Sequence, residues 1–431
     1  MSLDISTVLS RRAVLSAAAL AAAGYAATAG CARSTPSGSR PELVWASGGL
    51  SAADLRPAQD ITDLWHALHP RGPGVRLVPT PASPDDAHEL LWLELNAHLS
   101  NFDIVALDVV WTAEFAKRGW LVDLTELRPD IEPVTLRRPL QTAIWDGKLW
   151  AAPDTTDAGI LYYRKDLLRP DQVPQTWRQL IDTGREIGRP RNMAPFVADG
   201  IQNEGLVVQY LEYFWGLGGE VLSADGHSVL FDPGTATQAI EIMKDAYDKG
   251  DYLTGFDTMN LEDSRAAFQT GKAVFMRSWP YGYQQMNETD PNSKIIGKVG
   301  IAPLPAIAEF GSITALGGHN LAVSAFSRNI PAAIEFVRFV STARQVQQTL
   351  GQSYSLAPTM RAVYENPDGD PMLALLDQVL GTAKPRPATP QWSVISAQMQ
   401  QLIFSAYTGT RDPGNAARAM RRFLDATTQG S

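Results

Sequence analysis

Cysteine occurs once in the 431 residues, so the chain can close no internal disulfide and offers no cysteine pair for zinc or redox chemistry. The six histidines are scattered, and none stands in a His-Glu-x-x-His pair that would hold a metal. The sequence also lacks a Gly-x-x-x-x-Gly-Lys phosphate loop, a Gly-x-Gly-x-x-Gly turn after a strand and a Gly-x-Ser-x-Gly elbow, so no cofactor and no metal is expected. Gly216-Leu217-Gly218-Gly219 is glycine-rich, but it follows an aromatic helical stretch and reads as a helix stop and turn. Acidic residues outnumber basic ones, 46 to 37, for a formal net charge of -9. That balance argues against binding nucleic acid or anionic lipid through charge.

The content is that of a globular chain: 45% hydrophobic and 19% charged residues, enough for a core in two domains or one large one. The first thirty residues differ from the rest. Arg11-Arg12 precedes an alanine-rich stretch from Ala13 to Ala29, which runs into Thr28-Ala29-Gly30-Cys31. Cationic residues, a weakly apolar stretch and small residues at a cleavage point are the parts of an export signal, here of the twin-arginine type with a lipobox, over residues 1–30. A transmembrane anchor would leave Cys31 unexplained and would need a longer apolar run. Cys31 is therefore expected to carry lipid, and the Ser-, Pro- and Gly-rich residues 31–41 form a tether.

Beyond it, Leu43-Val44-Trp45, Val75 to Val78 and Asp103 to Leu107 read as strands, with helical stretches near Gln59 to His69 and Asp85 to Leu99 between them. That is a βαβαβ opening and an α/β fold. Thr176-Trp177-Arg178-Gln179 has capping-box spacing, and Asp232-Pro233 caps a helix whose apolar stripe runs from Ala236 to Tyr247 before Gly250. A similar stripe of Ile334, Val337 and Val340 follows Pro331 and is expected to end at Gly351.

Three stretches carry a resemblance. They are Asp103-Ile-Val-Ala-Leu-Asp108-Val-Val-Trp111 with Gly119-Trp120-Leu-Val-Asp123, Trp145-Asp-Gly-Lys-Leu-Trp-Ala-Ala-Pro153 with Leu161-Tyr-Tyr-Arg-Lys-Asp166, and Ala267-Phe-Gln-Thr-Gly-Lys-Ala-Val-Phe-Met-Arg-Ser-Trp279-Pro280. With Gly317-Gly318-His319-Asn320 and Arg386-Pro-Ala-Thr-Pro390, the chain resembles the extracytoplasmic sugar-binding lipoproteins of ABC importers, family 1 solute-binding proteins. Within them it is most similar to the actinobacterial trehalose-binding and the trehalose/maltose-binding type. The resemblance implies a two-lobed periplasmic-binding-protein-like (type II) fold with a hinge and an interlobe ligand cleft. Residues 42–155 and 314–352 would form the N-terminal lobe, and 156–313 and 353–431 the C-terminal lobe. It implies a monomer on the outer face of the cell membrane that binds a neutral disaccharide, trehalose-like in first place, and delivers it to permease subunits with their ATPase, catalysing nothing.

A sugar offers dense hydroxyls and flat C–H faces, so its site needs paired polar groups and aromatic platforms. Asp108 follows a strand, where open α/β sheets bind ligands; the resemblance makes it a sugar ligand, and the alternative is a cap on the helix near Trp111 to Lys117. Asp157 is a ligand candidate or a hinge-turn residue, and Glu262 a ligand or a solvated helix start. Trp279 matches the family's stacking face, with Tyr281 beside it, whereas Trp111 reads as core and Trp215 as a weak platform candidate. Gly318 and His319 lie at the return crossing, where backbone N–H groups can reach a ligand and His319 either donates or packs. Arg386 matches a ligand arginine of the trehalose type or is a proline-flanked surface residue. Two rival readings remain: a glycoside hydrolase, which needs two carboxyl groups flanking a scissile bond, and a binder of a maltooligosaccharide, amino sugar or glycerophosphodiester.

Overall fold

Residues 42–47, 55–223, 226–289, 292–365, 367 and 369–429 are described by the computed structural model of the chain; the expected signal, Cys31 and the tether lie outside the described residues. The apolar runs that read as strands form β1 (Glu42–Ser47), β2 (Gly74–Pro79) and β3 (Ile104–Asp108), all parallel, with β1 between the other two. Helices Arg56–Leu68 and Pro84–Asn96 make the two crossovers. Next come the hairpin β4 (Ile144–Trp145) and β5 (Lys148–Leu149), then β6 (Ala152–Ala158), β7 (Ile160–Arg164), β8 (Ala194–Val197), β9 (Ala273–Ser278), β10 (Val299–Pro303), β11 (Leu316–Val323) and β12 (Ala357–Pro358). They sort into a six-stranded sheet of order β12-β6-β11-β3-β1-β2 and a four-stranded sheet of order β10-β7-β9-β8. Each sheet is the centre of one lobe.

The lobes join where β6 ends in one sheet and β7 begins in the other, across Gly159. The sheet pairing of β6 runs on to Ala158, past the change of lobe that the resemblance puts after residue 155. Ala357–Pro358, assigned by resemblance to the second lobe, pairs with Thr156 and Thr155 in the first sheet. A β-carbon on Gly159 would stand 2.4 Å from Arg277 Nη2 and 2.5 Å from Glu212 Oε1. Only glycine lets that buried ion pair lie against the crossing. The return crossing is tied to it: Thr314 Oγ1 donates to Gly159 O at 2.7 Å, the Ala315 amide to Glu212 Oε1 at 3.1 Å, and the Leu316 amide to Lys384 O at 2.8 Å.

The expected caps are present. Thr176 and Gln179 form the capping box of helix Trp177–Gly188, and Asp232 accepts from the Thr235 amide at 2.7 Å ahead of helix Pro233–Asp248, beyond which Gly250 takes φ +66°. The stripe after Pro331 does not run as one helix to Gly351. It is two helices, Ile330–Thr342 and Arg344–Tyr354, separated at Ala343, whose ψ of 112° is extended. Gly351 lies inside the second helix, packed so that a β-carbon would meet Pro358 Cγ at 3.0 Å. The break turns Gln347 inward, where its amide donates to Asp154 O at 3.1 Å and accepts from the Thr359 amide at 2.7 Å. These bonds satisfy buried backbone groups that a straight helix would not reach.

Candidate functional site

Strand register assembles the first half of the site. β11 runs antiparallel to both β3 and β6, which sets His319 opposite Asp108 on one side and opposite Thr155 on the other. Gly317 pairs with Asp157 and Gly318 with Thr156. Gly318 has φ +112°, and a β-carbon there would lie 2.3 Å from Thr155 O; only glycine tolerates both. Asp108, Asp157, Gly318 and His319, distant in sequence, thus meet at one place. Asp157 sits in a strand, not in a hinge turn.

Trp279 follows β9. A β-carbon on Gly317 would stand 2.9 Å from Trp279 Cη2 and 3.3 Å from Asp157 Cβ, so the indole lies against the return strand beside Asp157. Its other support is Arg277, whose guanidinium carbon is 4.1 Å from the ring centroid, a cation–π contact. Arg277 binds Glu212 with two hydrogen bonds, at 3.0 and 2.6 Å, and both side chains are buried. The Trp279 carbonyl accepts from Tyr162 Oη at 2.7 Å.

Arg386 is 5% exposed, which rules out a surface-loop residue. Its Nη2 donates to Asp108 Oδ1 at 2.8 Å and its Nη1 to Glu204 Oε1 at 2.5 Å. Asp108 does not cap the helix that follows it. Its carboxylate accepts from the Val110 amide at 3.2 Å, while helix Thr112–Lys117 starts with Trp111 at the cap position and no side-chain cap.

Glu262 and Tyr281 form a pair of their own on the second lobe. Tyr281 Oη donates to the Glu262 carboxylate, which also takes Arg265 Nε at 2.8 Å. Glu262 does stand in the first turn of helix Leu261–Gln269, but the capping there is done by Asn260 and Asp263. Trp111 and Trp215 are both buried; Trp215 packs under Lys384, 5.2 Å from the ring centroid.

Burial pushes the Asp157 carboxyl up to about 8, with Arg277 opposing the shift and Asp108 adding to it. Burial likewise lowers His319 and raises Glu204 in spite of Arg386. Two buried polar atoms at this place have no hydrogen-bond partner: Asp157 Oδ1, an acceptor or the carrier of the proton, and Arg386 Nε, a donor. A cavity of about 350 Å³ lies between the Trp145-Asp146 hairpin, Lys117, His227, Thr389 and Gln391. Among the described residues no cluster of three or more His, Cys, Asp or Glu side chains could hold a metal ion.

Sequence reasoning missed Glu204 and the Glu212–Arg277 pair. Glu204 also accepts from Trp392 Nε1 at 3.0 Å and from Ser396 Oγ. A signal for the second was present: Glu212 interrupts an aromatic helical run and Arg277 an apolar strand, and charges in such places are found buried only when paired.

Two α/β bodies joined by tied crossings, with polar and aromatic groups of both converging at the junction, define a hinged two-lobed binding protein. The chain belongs to the family of bacterial extracellular solute-binding proteins, which residues 61–347 match. It is 31% identical over 366 residues, 81% of this chain and 85% of the relative, to a Deinococcus radiodurans protein named as a candidate ABC transporter-binding protein. It is 24% identical over 330 residues, 73% of this chain and 74% of the relative, to the diacetylchitobiose binding protein of Streptomyces coelicolor. The structure of T. maritima MalE3 with maltose bound superimposes with a TM-score of 0.83 and 32% identity, over 90% of this chain and 99% of that one. Among the described residues no helix is long and apolar enough to cross a membrane.

Proposed function

We propose that the protein is the lipid-anchored, extracytoplasmic receptor of an ABC sugar importer, holding one uncharged disaccharide between its lobes, trehalose-like in first place, and handing it to the permease. The observation that carries this reading is the pair of unpartnered buried atoms, Asp157 Oδ1 and Arg386 Nε, with the Trp279 indole lying beside Asp157. Both atoms are closed to solvent here, so a sugar reaches them when the lobes part; a hydroxyl, which both donates and accepts, can then satisfy either one while a ring face covers the indole. The ligands named for the two relatives, maltose and diacetylchitobiose, are of this chemistry.

Charge supports an uncharged ligand over a glycerophosphodiester. Arg386 is already shared by Asp108 and Glu204, and Arg277 is held by Glu212, so the arginines here are neutralised before a phosphate could use them. Hydrolysis has one point in its favour, a carboxyl raised to about 8 near a second carboxylate. Against it, Asp108 is tied to Arg386, which occupies the partner that a glycosidase would need as nucleophile or base.

The test is a thermal-shift series with trehalose, maltose, sucrose, amino sugars and glycerophosphocholine, together with a search for released monosaccharide. A ligand that binds only the native state raises the melting temperature by mass action. A rise with one neutral sugar and no cleavage supports the reading; a rise with glycerophosphocholine alone, or sugar cleavage, overturns it.

A further inference from the structure

The lobes also touch directly, and along one edge of that contact carboxylates of one lobe face donors of the other. Arg386 donates to Asp108 at 2.8 Å, Ser393 Oγ to Glu114 Oε2 at 2.6 Å, and Gln400 Nε2 to Asp85 Oδ1 at 3.2 Å. The Glu204 amide adds a bond to Asp85 Oδ2 at 3.1 Å. Every one of these donors comes from the four-stranded lobe and every acceptor is a carboxylate of the six-stranded lobe.

The sequence builds this row from helix periodicity. Ser393 and Gln400 are two turns apart on helix Trp392–Tyr407 and so share a face; Ser396 between them turns to Glu204 and accepts from Gln400 Nε2 at 3.2 Å. Opposite, Asp85 lies in the first turn of helix Pro84–Asn96 and His88 one turn on. His88 reaches both Glu114, at 3.0 Å, and Ser393, at 3.1 Å. The row grades from buried to open: Arg386 and Glu114 are each 5% exposed, whereas Asp85 is exposed. Glu114 stays ionised: burial opposes this, but His88, Ser393 and Arg118 together hold its carboxyl below the usual range.

We propose that this row is the clasp that sets the balance between open and closed lobes, which makes Asp85, Glu114, Ser393 and Gln400 positioning residues that tune ligand affinity without touching the ligand. The inference rests on the hinged-receptor reading above. A ligand that binds the closed form appears weaker in proportion to how seldom that form is populated. Loosening the clasp therefore weakens binding while each lobe remains folded.

The experiment measures the radius of gyration by small-angle X-ray scattering, without sugar and with maltose or trehalose, and the affinity for both sugars by calorimetry. For Ser393→Ala combined with Gln400→Ala the expected result is a larger radius without sugar, affinity lower by about tenfold, and an unchanged circular dichroism spectrum. Gln400→Glu, which sets a carboxylate against Asp85, opens the lobes in the same sense and serves as the second variant if the first does not fold. Asp85→Asn keeps one acceptor oxygen but turns an NH2 group on the second donor, so it loses one of the two bonds and lies between the wild type and Gln400→Glu. Wild-type radius and affinity in the folded Ser393→Ala, Gln400→Ala protein and in Gln400→Glu would overturn the clasp. If neither sugar binds the wild type, the sugar reading loses its support and the scattering comparison decides the clasp alone.

Discussion

The indole of Trp279 lies over the guanidinium of Arg277, 4.1 Å from ring centroid to carbon, and that guanidinium is fixed by Glu212 behind it. The chain Glu212–Arg277–Trp279 therefore connects the hinge crossing at Gly159, which touches the ion pair, to the face against which a sugar would stack. Trp279 is half-buried and is held from one side by Arg277. Trp279→Ala is expected to weaken sugar binding by about tenfold, because an aromatic contact of this kind contributes about 0.5–1.5 kcal/mol beyond the area it buries. The melting temperature should move little, since the Glu212–Arg277 pair stays intact. Calorimetry on the variant with the sugar selected in the thermal-shift series checks both arms; unchanged affinity means that Trp279 is not the platform.

Breaking the ion pair has the opposite profile. Glu212→Ala leaves Arg277 buried without its partner and also frees the Ala315 amide, which now binds Glu212 at 3.1 Å. Removing one partner of a buried pair costs about 3–5 kcal/mol, so a large fall in melting temperature is expected. Arg277→Met with Glu212→Leu, which removes both charges, should recover much of the stability but not the affinity, because Trp279 loses its support. Equal melting temperatures of Glu212→Ala and wild type would show the pair to be idle.

Asp157 gives a pH dependence with a definite sign. Its carboxyl is raised from 3.8 to about 8 by burial, so between these values the native chain keeps a proton that the unfolded chain releases. Stability is then full below about pH 4, falls as pH rises through the window and levels off above about 8. Within that window, one retained proton corresponds to a loss of about 1.4 kcal/mol for every pH step of one. Asp157→Asn cannot ionise. It should melt with the wild type near pH 4 and above it at pH 8, in scanning calorimetry at the two pH values. Asp154 and Asp199, each pushed to about 7 by burial, act in the same direction, so the slope is reduced and not abolished. A variant less stable than wild type at pH 8 would show Asp157 to be ionised and paired there.

What was legible in the sequence is what is local. The first three strands, the Thr176 and Asp232 caps and the turn at Gly250 follow from periodicity and cap chemistry within a few residues. The break at Ala343 was not legible, because neither proline nor glycine marks it and the cause is the distant demand of Asp154 and Thr359 on Gln347. The site candidates came from the resemblance, and the structure brings Asp108, Asp157, Gly318, His319, Trp279 and Arg386 together while Glu262 and Tyr281 pair with each other. Glu204 escaped notice because an acidic residue in a first helical turn is common, and nothing near it in the chain announces Arg386. The partner is supplied by the second lobe's late segment, and contacts of that range leave no local trace.

Cys31 is expected to hold the protein at the membrane. Expressed in a bacterium with a twin-arginine pathway, the wild type should fractionate with the membrane and Cys31→Ser should appear in the soluble extracytoplasmic fraction, because a lipid chain contributes about 0.8 kcal/mol per buried methylene. Membrane retention of the Cys31→Ser protein would transfer the anchoring to the apolar stretch before it.

Gly159→Ala tests whether the crossing is as crowded as its geometry requires. The new methyl would stand 2.4 Å from Arg277 Nη2 and 2.5 Å from Glu212 Oε1, well inside contact distance, and neither group can retreat without breaking a buried charged hydrogen bond. Overpacking of this kind typically costs about 1–3 kcal/mol, so the melting temperature should drop. The same displacement pushes Arg277 from under Trp279, so sugar affinity should fall along with stability. Gly147→Ala is the control, since a β-carbon at Gly147 has nothing within 4 Å although the backbone there has φ +72°. It carries the backbone strain of a left-handed position without the crowding, and it should lower the melting temperature while leaving affinity as it was. If Gly159→Ala behaves like Gly147→Ala, the coupling from crossing to indole is absent and the hinge moves independently of the platform.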